Sequence, residues 1–254
     1  MLSIRVIACL DVHDGRTVKG INFINLRDAG DPAEQAKLYS KMGADEICFL
    51  DISATTEKRR AMFDVISKTA ESCFIPLTVG GGVKNINDFK DLLSCGADKV
   101  SINSSAVYNP DFIKESSHKF GNQSVVLAID AIDNNNMISG YEVTTHGGKK
   151  KTGIDVLAWA IQGVKNGAGE ILLTSMTADG TKQGYNLNLT KLISKNVSVP
   201  VIASGGAGKP KDMVDVVLKS GASAVLAASI FHFGIYSISS VKKEMLKNGI
   251  HIRD

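Results

Sequence analysis

Residues 75–105 read IPLTVGGGVKNINDFKDLLSCGADKVSINSS. A short apolar run ends at Val79 in Gly80-Gly81-Gly82, and an amphipathic stretch follows. Gly96-Ala97-Asp98 closes that stretch, and a second apolar run, Lys99 to Ile102, ends in Asn103-Ser104-Ser105. The pattern predicts strand, helix, strand, with small or polar residues after each strand. Glycines after a strand let backbone N–H groups approach an anion, since no Cβ intervenes, and they tolerate positive φ. Residues 199–229, VPVIASGGAGKPKDMVDVVLKSGASAVLAAS, repeat the pattern with Gly205-Gly206 in the place of Gly81-Gly82.

Two more echoes lie outward from this pair. Val6-Ile-Ala-Cys-Leu-Asp-Val12 matches Val125-Val-Leu-Ala-Ile-Asp-Ala131, and Gly43-Ala-Asp-Glu-Ile-Cys-Phe-Leu50 matches Gly167-Ala-Gly-Glu-Ile-Leu-Leu-Thr174. All echoes keep one order, so the chain reads as a half duplicated. Strands are predicted at 5–10, 46–50, 77–79 and 99–102, then at 124–129, 170–174, 201–203 and 224–227, each followed by a helical pattern. Asp31-Pro32 and Asn109-Pro110 place proline where helices should start. Eight βα units in this length suit a (β/α)8 TIM barrel of two duplicated (β/α)4 halves, with an open doubly wound sheet as the alternative. No Pro-, Gly- or Ser-rich linker divides the halves, so 1–254 is read as a single domain. Residues 15–30 read as a long polar loop after the first strand, and 133–151 as a small hairpin after the fifth. Both leave the strand ends on which barrel active sites are built.

Composition narrows the classes. The 254 residues are 44% hydrophobic with a formal net charge of +3, which suits a soluble protein with a large core and gives no electrostatic footprint for nucleic acid. The densest basic cluster, Lys149-Lys150-Lys151, reads as a solvated loop. Cys9, Cys48, Cys73 and Cys95 form no CxxC pair and read as reduced, mostly buried thiols in a cytoplasmic protein. The first residues are too charged and too short in apolar run for a signal peptide, and no segment approaches membrane-spanning length. The five histidines show no metal spacing, so no metal is expected, and no GxSxG or GxCxG elbow occurs.

Asp11 and Asp130 end matching strands of the two halves. A half-desolvated carboxylate at a barrel mouth has its pKa raised toward a range that suits proton transfer, although a lone Asp there also serves as a loop cap. Gly81, Gly82, Asn103 and Ser104 form one candidate phosphate site; Gly205, Gly206, Ala228 and Ser229 form a second. Two such sites suggest a substrate with a phosphate at each end. Strand parity adds a third constellation. If Asp11 points inward, so do Cys9, Ile7 and Arg5; Glu46, Lys99 and Glu170 follow by the same rule, with Thr174 on the face of Glu170. Arg5, Glu46, Lys99 and Glu170 then ring the barrel bottom, two of each sign.

These residues carry a resemblance. ACLDVHDGRTVKG, PLTVGGG, GADKVSINSSAV, VVLAIDA, GAGEILLTSM, DGTKQGY, PVIASGGAG and LAASIFHFG resemble the cyclase-subunit family of imidazole glycerol phosphate synthase, from the first strand to about Phe233. The resemblance implies a barrel enzyme, a lyase, without metal or organic cofactor. It takes ammonia from a separate glutaminase subunit in a heterodimer. Its bis-phosphorylated substrate, phosphoribulosylformimino-aminoimidazole-carboxamide ribonucleotide, becomes imidazole glycerol phosphate and aminoimidazole carboxamide ribonucleotide. It also implies that Asp11 and Asp130 are the catalytic acid and base, that Lys19 closes over substrate, and that Arg5, Glu46, Lys99 and Glu170 gate ammonia. Asp179 and Gly180 match the family's sixth-strand substrate loop, which commonly reads Asp-Arg-Asp-Gly; here Thr177-Ala178 replace the first two. The sister isomerase, a sugar-amidating paralogue and a non-catalytic regulatory barrel are the rival readings.

Overall fold

The computed structural model describes residues 3–21, 24–52 and 59–253, with the side chains at 19–21, 24–27 and 59–61 outside the described set. Eight of its strands are the barrel. β1 (Arg5–His13), β4 (Glu46–Asp51), β5 (Leu77–Gly80) and β6 (Lys99–Ile102) come from the first half of the chain. β7 (Val125–Asp133), β10 (Glu170–Ser175), β11 (Val201–Ser204) and β12 (Ala224–Ala227) come from the second. Each pairs in parallel with the next, β7 with β10, and β12 with β1, so the ring closes. The open-sheet alternative is excluded by the β12–β1 pairing, which runs from Arg5↔Ala224 to Ala8↔Ala227.

The helices lie outside the ring: α1 (Pro32–Lys41), α2 (Arg59–Ser72), α3 (Ile86–Ser94), α4 (Ser104–Tyr108), α5 (Asp111–Phe120), α6 (Val156–Lys165), α7 (Leu187–Asn196), α8 (Pro210–Ser220), α9 (Ser229–His232) and α10 (Ile238–Lys247). Their starts follow local chemistry. Asp31 accepts from Ala33 N at 2.9 Å and Glu34 N at 3.1 Å, with Pro32 just inside the helix. Such a cap satisfies backbone donors that the helix itself cannot, at a worth of about 1 kcal/mol. At Asn109-Pro110 the proline is itself the cap of α5.

Strand parity divides the core in two. Val6, Ala8 and Leu10 point outward into the large layer between sheet and helices, with Phe49, Phe89, Leu127, Trp159 and Ile171. Ile7 and Cys9 point inward, where Cys48, Val126, Leu172, Ile202, Ala224 and Leu226 fill the barrel interior. The interior is therefore packed rather than open, as barrels of eight strands require.

The structure corrects two sequence expectations. Residues 16–21 and 24–30 are not a polar loop: β2 (Arg16–Ile21) and β3 (Ile24–Gly30) form an antiparallel ribbon on β1, with Asp11↔Val18 and His13↔Arg16 in register. Nor do the two aspartates end their strands. β1 continues to His13 and β7 to Asp133, because each runs past its barrel neighbours as one arm of a hairpin. The second hairpin, expected at 133–151, is present as β8 (Tyr141–Thr145) and β9 (Lys150–Asp155), with Asp130↔Thr144 in register. Within it all three lysines of the cluster are exposed, Lys149 in the turn and Lys150 and Lys151 in β9, and Lys150 Nζ sits 5.3 Å over the Tyr108 ring. No helix among the described residues is long and apolar enough to cross a membrane.

Candidate active site

The C-terminal ends of the barrel strands enclose a cavity of about 780 Å³. Asp11 and Asp130 face into it from β1 and β7, with Thr174 of β10 between β7 and β11. Asp11 is only 3% exposed, and the Cys9 thiol two residues below it donates to Oδ1 at 3.6 Å. Asp130 Oδ2 accepts from Asn103 Nδ2 at 3.0 Å, across the β6–β7 seam. Burial, reinforced by the nearby charge of Asp179, pushes the Asp130 carboxyl up to about 7, against the opposing hydrogen bond from Asn103. Removing a carboxylate from water disfavours its charged form, and a second carboxylate does so again. Asp130 thus stands near the midpoint of its titration at neutral pH, the condition for giving and taking a proton in one cycle.

The two glycine turns have the same construction. Gly81 and Gly82 have φ of 98° and 63°; Gly205 and Gly206 have 86° and 103°. A Cβ on Gly81 would stand 2.0 Å from the Asp51 carbonyl oxygen, and one on Gly205 would stand 2.6 Å from that of Ser175. Only glycine fits either place. Opposite each turn, a short helix begins from an unusual backbone: Asn103 (φ −128°, ψ −90°) precedes α4, and Ala228 (φ −123°, ψ −74°) precedes α9. Ser104 and Ser229 thus open the two helices, and all these residues line the cavity, as do Asp179 and Gly180. Backbone N–H groups at such turns form concavities suited to anions.

At the other end of the barrel the four charged residues meet. Each is the first residue of its strand, on the N-terminal rim. Arg5 Nη1 reaches Glu46 Oε2 at 2.8 Å, and Arg5 Nη2 bonds Glu170 Oε1. Lys99 Nζ bridges the same two carboxylates, at 2.8 Å to Glu46 Oε2 and 2.8 Å to Glu170 Oε2. Thr78 Oγ1 donates to Glu46 Oε1 at 2.6 Å. Burial alone would raise the Glu170 carboxyl, but Arg5 and then Lys99 outweigh it and hold it below its ordinary value. Burial likewise acts to lower Arg5, and its carboxylate partners raise it above its ordinary value. The network is closed: each cation touches both anions.

With this geometry in place, the chain can be set beside known proteins. A family model described as histidine biosynthesis protein matches residues 5–237. A curated relative, imidazole glycerol phosphate synthase subunit HisF of Clostridium botulinum (strain 657 / Type Ba4), is 56% identical over 253 residues, spanning 100% of both chains. The chain belongs to the HisF family.

Several cavity residues of this HisF-family chain escape sequence reasoning. Tyr108 lies one helical turn beyond Ser104, and His146 occupies the β8–β9 turn with φ of 56°, its backbone N–H 3.4 Å from Ser104 Oγ. In the sequence His146 has no assigned role, since the histidines show no metal spacing. Its positive φ in a non-glycine residue is the sort of outlier that clusters at functional sites, but only coordinates show it. The Asn103–Asp130 bond and the influence of Asp179 are also tertiary. Lys19 lies in β2 opposite Arg27, and its side chain falls outside the described residues. Among the described residues no group of His, Cys, Asp and Glu could hold a metal ion.

Proposed function

We propose that this chain is the cyclase subunit of an imidazole glycerol phosphate synthase, and that Asp11 and Asp130 are its acid and base. The observation that carries the reading is the pair of carboxylates between two matching anion turns in one cavity, one of them titrating near 7. A bis-phosphorylated substrate, phosphoribulosylformimino-aminoimidazole-carboxamide ribonucleotide, would span the mouth. One phosphate sits at Gly82, Asn103 and Ser104, the other at Gly206, Ala228 and Ser229, with Thr174, Asp179 and Gly180 against the ribulosyl part and Lys19 closing over it. Ammonia adds to the ribulosyl carbonyl, the carbonyl oxygen takes up two protons as nitrogen gives up two and leaves as water, and the nitrogen so installed attacks the formimino carbon. The C–N bond to the departing aminoimidazole carboxamide ribonucleotide then breaks as its nitrogen is protonated. Loss of a further proton accompanies closure of the imidazole ring. Asp130, poised at half-titration, suits both directions of transfer.

Ammonia would come from a separate glutaminase subunit docked on the N-terminal rim, where Phe74 stands 91% exposed ahead of β5. It would enter through the ring of Arg5, Glu46, Lys99 and Glu170. Paired charges close that end without a covalent wall, and a bridging lysine on a flexible stem can move aside.

The test compares two nitrogen sources. The chain alone should turn over the substrate with ammonium salts, faster as rising pH releases free ammonia, and should not use glutamine. With the glutaminase present, Lys99→Ala should lower glutamine-dependent turnover severalfold more than ammonium-dependent turnover. Glutamine hydrolysis by the isolated chain, or equal loss in both assays, overturns the conduit; absence of ammonium-dependent turnover overturns the cyclase itself.

A further inference from the structure

Cys9 and Cys48 occupy directly opposed positions on β1 and β4, in a parallel register that runs from Ile7↔Glu46 to Val12↔Asp51. Both side chains point into the barrel interior, 3% and 2% exposed, in the same small apolar cluster. Opposed residues on neighbouring strands have Cα atoms roughly 4.8 Å apart. A disulfide accepts about 4.4–6.8 Å. Inward side chains of a closed ring also converge toward its axis, which draws Cβ atoms together. Cys9 in addition lines the mouth cavity and donates its thiol to Asp11 at 3.6 Å. The pair therefore has the spacing to bond, a route for a small oxidant, and a direct contact with a carboxylate of the site.

We propose that Cys9 and Cys48 form a reversible disulfide inside the barrel, made by hydrogen peroxide that enters through the mouth, and that this bond switches Asp11 off. The Cys9 sulfur attacks the peroxide oxygen, giving a sulfenic acid and the first water. The Cys48 sulfur then attacks the Cys9 sulfur and expels the second water, so two thiols lose two electrons to one peroxide. Bonded to Cys48, the Cys9 sulfur has no proton to donate to Asp11 and is pulled toward β4. The bond also lies one inward layer above Glu46, across the space between the charged ring and the mouth. A dithiol reductant restores both thiols.

The experiment uses the full chain carrying Cys73→Ala and Cys95→Ser, so that only one pair can react. Hydrogen peroxide followed by tryptic digestion should give a linked pair, Val6–Arg16 with Met42–Lys58. Ammonium-dependent turnover should fall at least about tenfold and return with dithiothreitol. Cys48→Val, which keeps an apolar side chain among apolar neighbours, should retain turnover and resist that reversible loss; Cys48→Ala serves if the valine variant folds poorly. The loss of turnover rests on the cyclase reading, whereas the linked peptides do not, so the two failures are distinguishable. Absence of the linked pair overturns the bond. A linked pair with unchanged turnover, or equal reversible loss in both Cys48 variants, overturns the switch.

Discussion

The two halves of this barrel share a frame and differ in what hangs on it. β1 and β7 each carry an aspartate at the mouth, and each continues into a hairpin. β5 and β11 each end in a glycine turn, and β6 and β12 each lead into a one-turn helix. The side chains around the aspartates are not copied. Asn103 of the first half donates to Asp130 across the β6–β7 seam, while the equivalent place across the β12–β1 seam holds Ala228, which has nothing to donate. Asp11 instead meets the thiol of Cys9. Duplication thus supplies symmetry of backbone, which suits a substrate with a phosphate at each end. Chemistry on the middle of the proposed substrate would be directional, and side-chain divergence would provide the direction.

The largest test of this contrast is removal of each carboxylate. Asp11→Asn and Asp130→Asn should each lower ammonium-dependent turnover by at least about a hundredfold, the common worth of a positioned acid or base. The fold should persist, because Asn is nearly isosteric. Near-normal turnover in either variant, measured at saturating ammonium, would leave catalysis to one half alone.

A smaller effect should separate the two glycine turns. Gly81→Ala and Gly205→Ala both force a side chain into positive φ against a carbonyl, so each should cost more than about 2 kcal/mol. Gly81→Ala should cost more, since its Cβ would stand closer to backbone, 2.0 Å against 2.6 Å. Urea midpoints at unchanged slope measure the order, and a reversed order would mean that the second turn is the tighter of the two.

Most of the frame was legible in the sequence. Apolar runs and glycine punctuation locate all eight barrel strands within a few residues, because a strand buried on both faces has little freedom of composition. Parity alone gathered Arg5, Glu46, Lys99 and Glu170. The ribbon of β2 and β3 was hidden by Gly15, Gly20 and Gly30 and by the charges of Arg16, Lys19, Arg27 and Asp28, since a ribbon outside the core need not alternate apolar and polar residues. Asn103–Asp130 was hidden for another reason. Whether two side chains meet across a seam depends on the stagger of adjacent strands, and no local pattern encodes that stagger.

The finest test concerns Asp130. Its carboxyl is raised from 3.8 to about 7, so the folded chain keeps a proton that the unfolded chain has released across that window. The associated stability is present below the lower value and is lost as pH climbs through the upper one. Melting temperatures of the native chain should therefore fall by a few degrees between pH 5 and 8 relative to Asp130→Asn. Asp179→Asn should move the acidic limb of the turnover profile to lower pH, and Asn103→Ala should move it to higher pH. Shifts in one common direction would contradict the opposing roles of the two neighbours.

The charged ring at the barrel bottom also bears on which halves would join. The first half brings Arg5, Lys99 and Glu46, and the second brings Glu170 alone. Joined to a copy of itself, the first half would crowd four cations around two carboxylates; the second would oppose two carboxylates with no cation between them. Only the mixed union is neutral. A part-buried charge without a partner is costly, so fragments split between α5 and β7 are expected to pair with each other in preference to their own kind, an order that mixing the two purified halves and measuring the species formed would check.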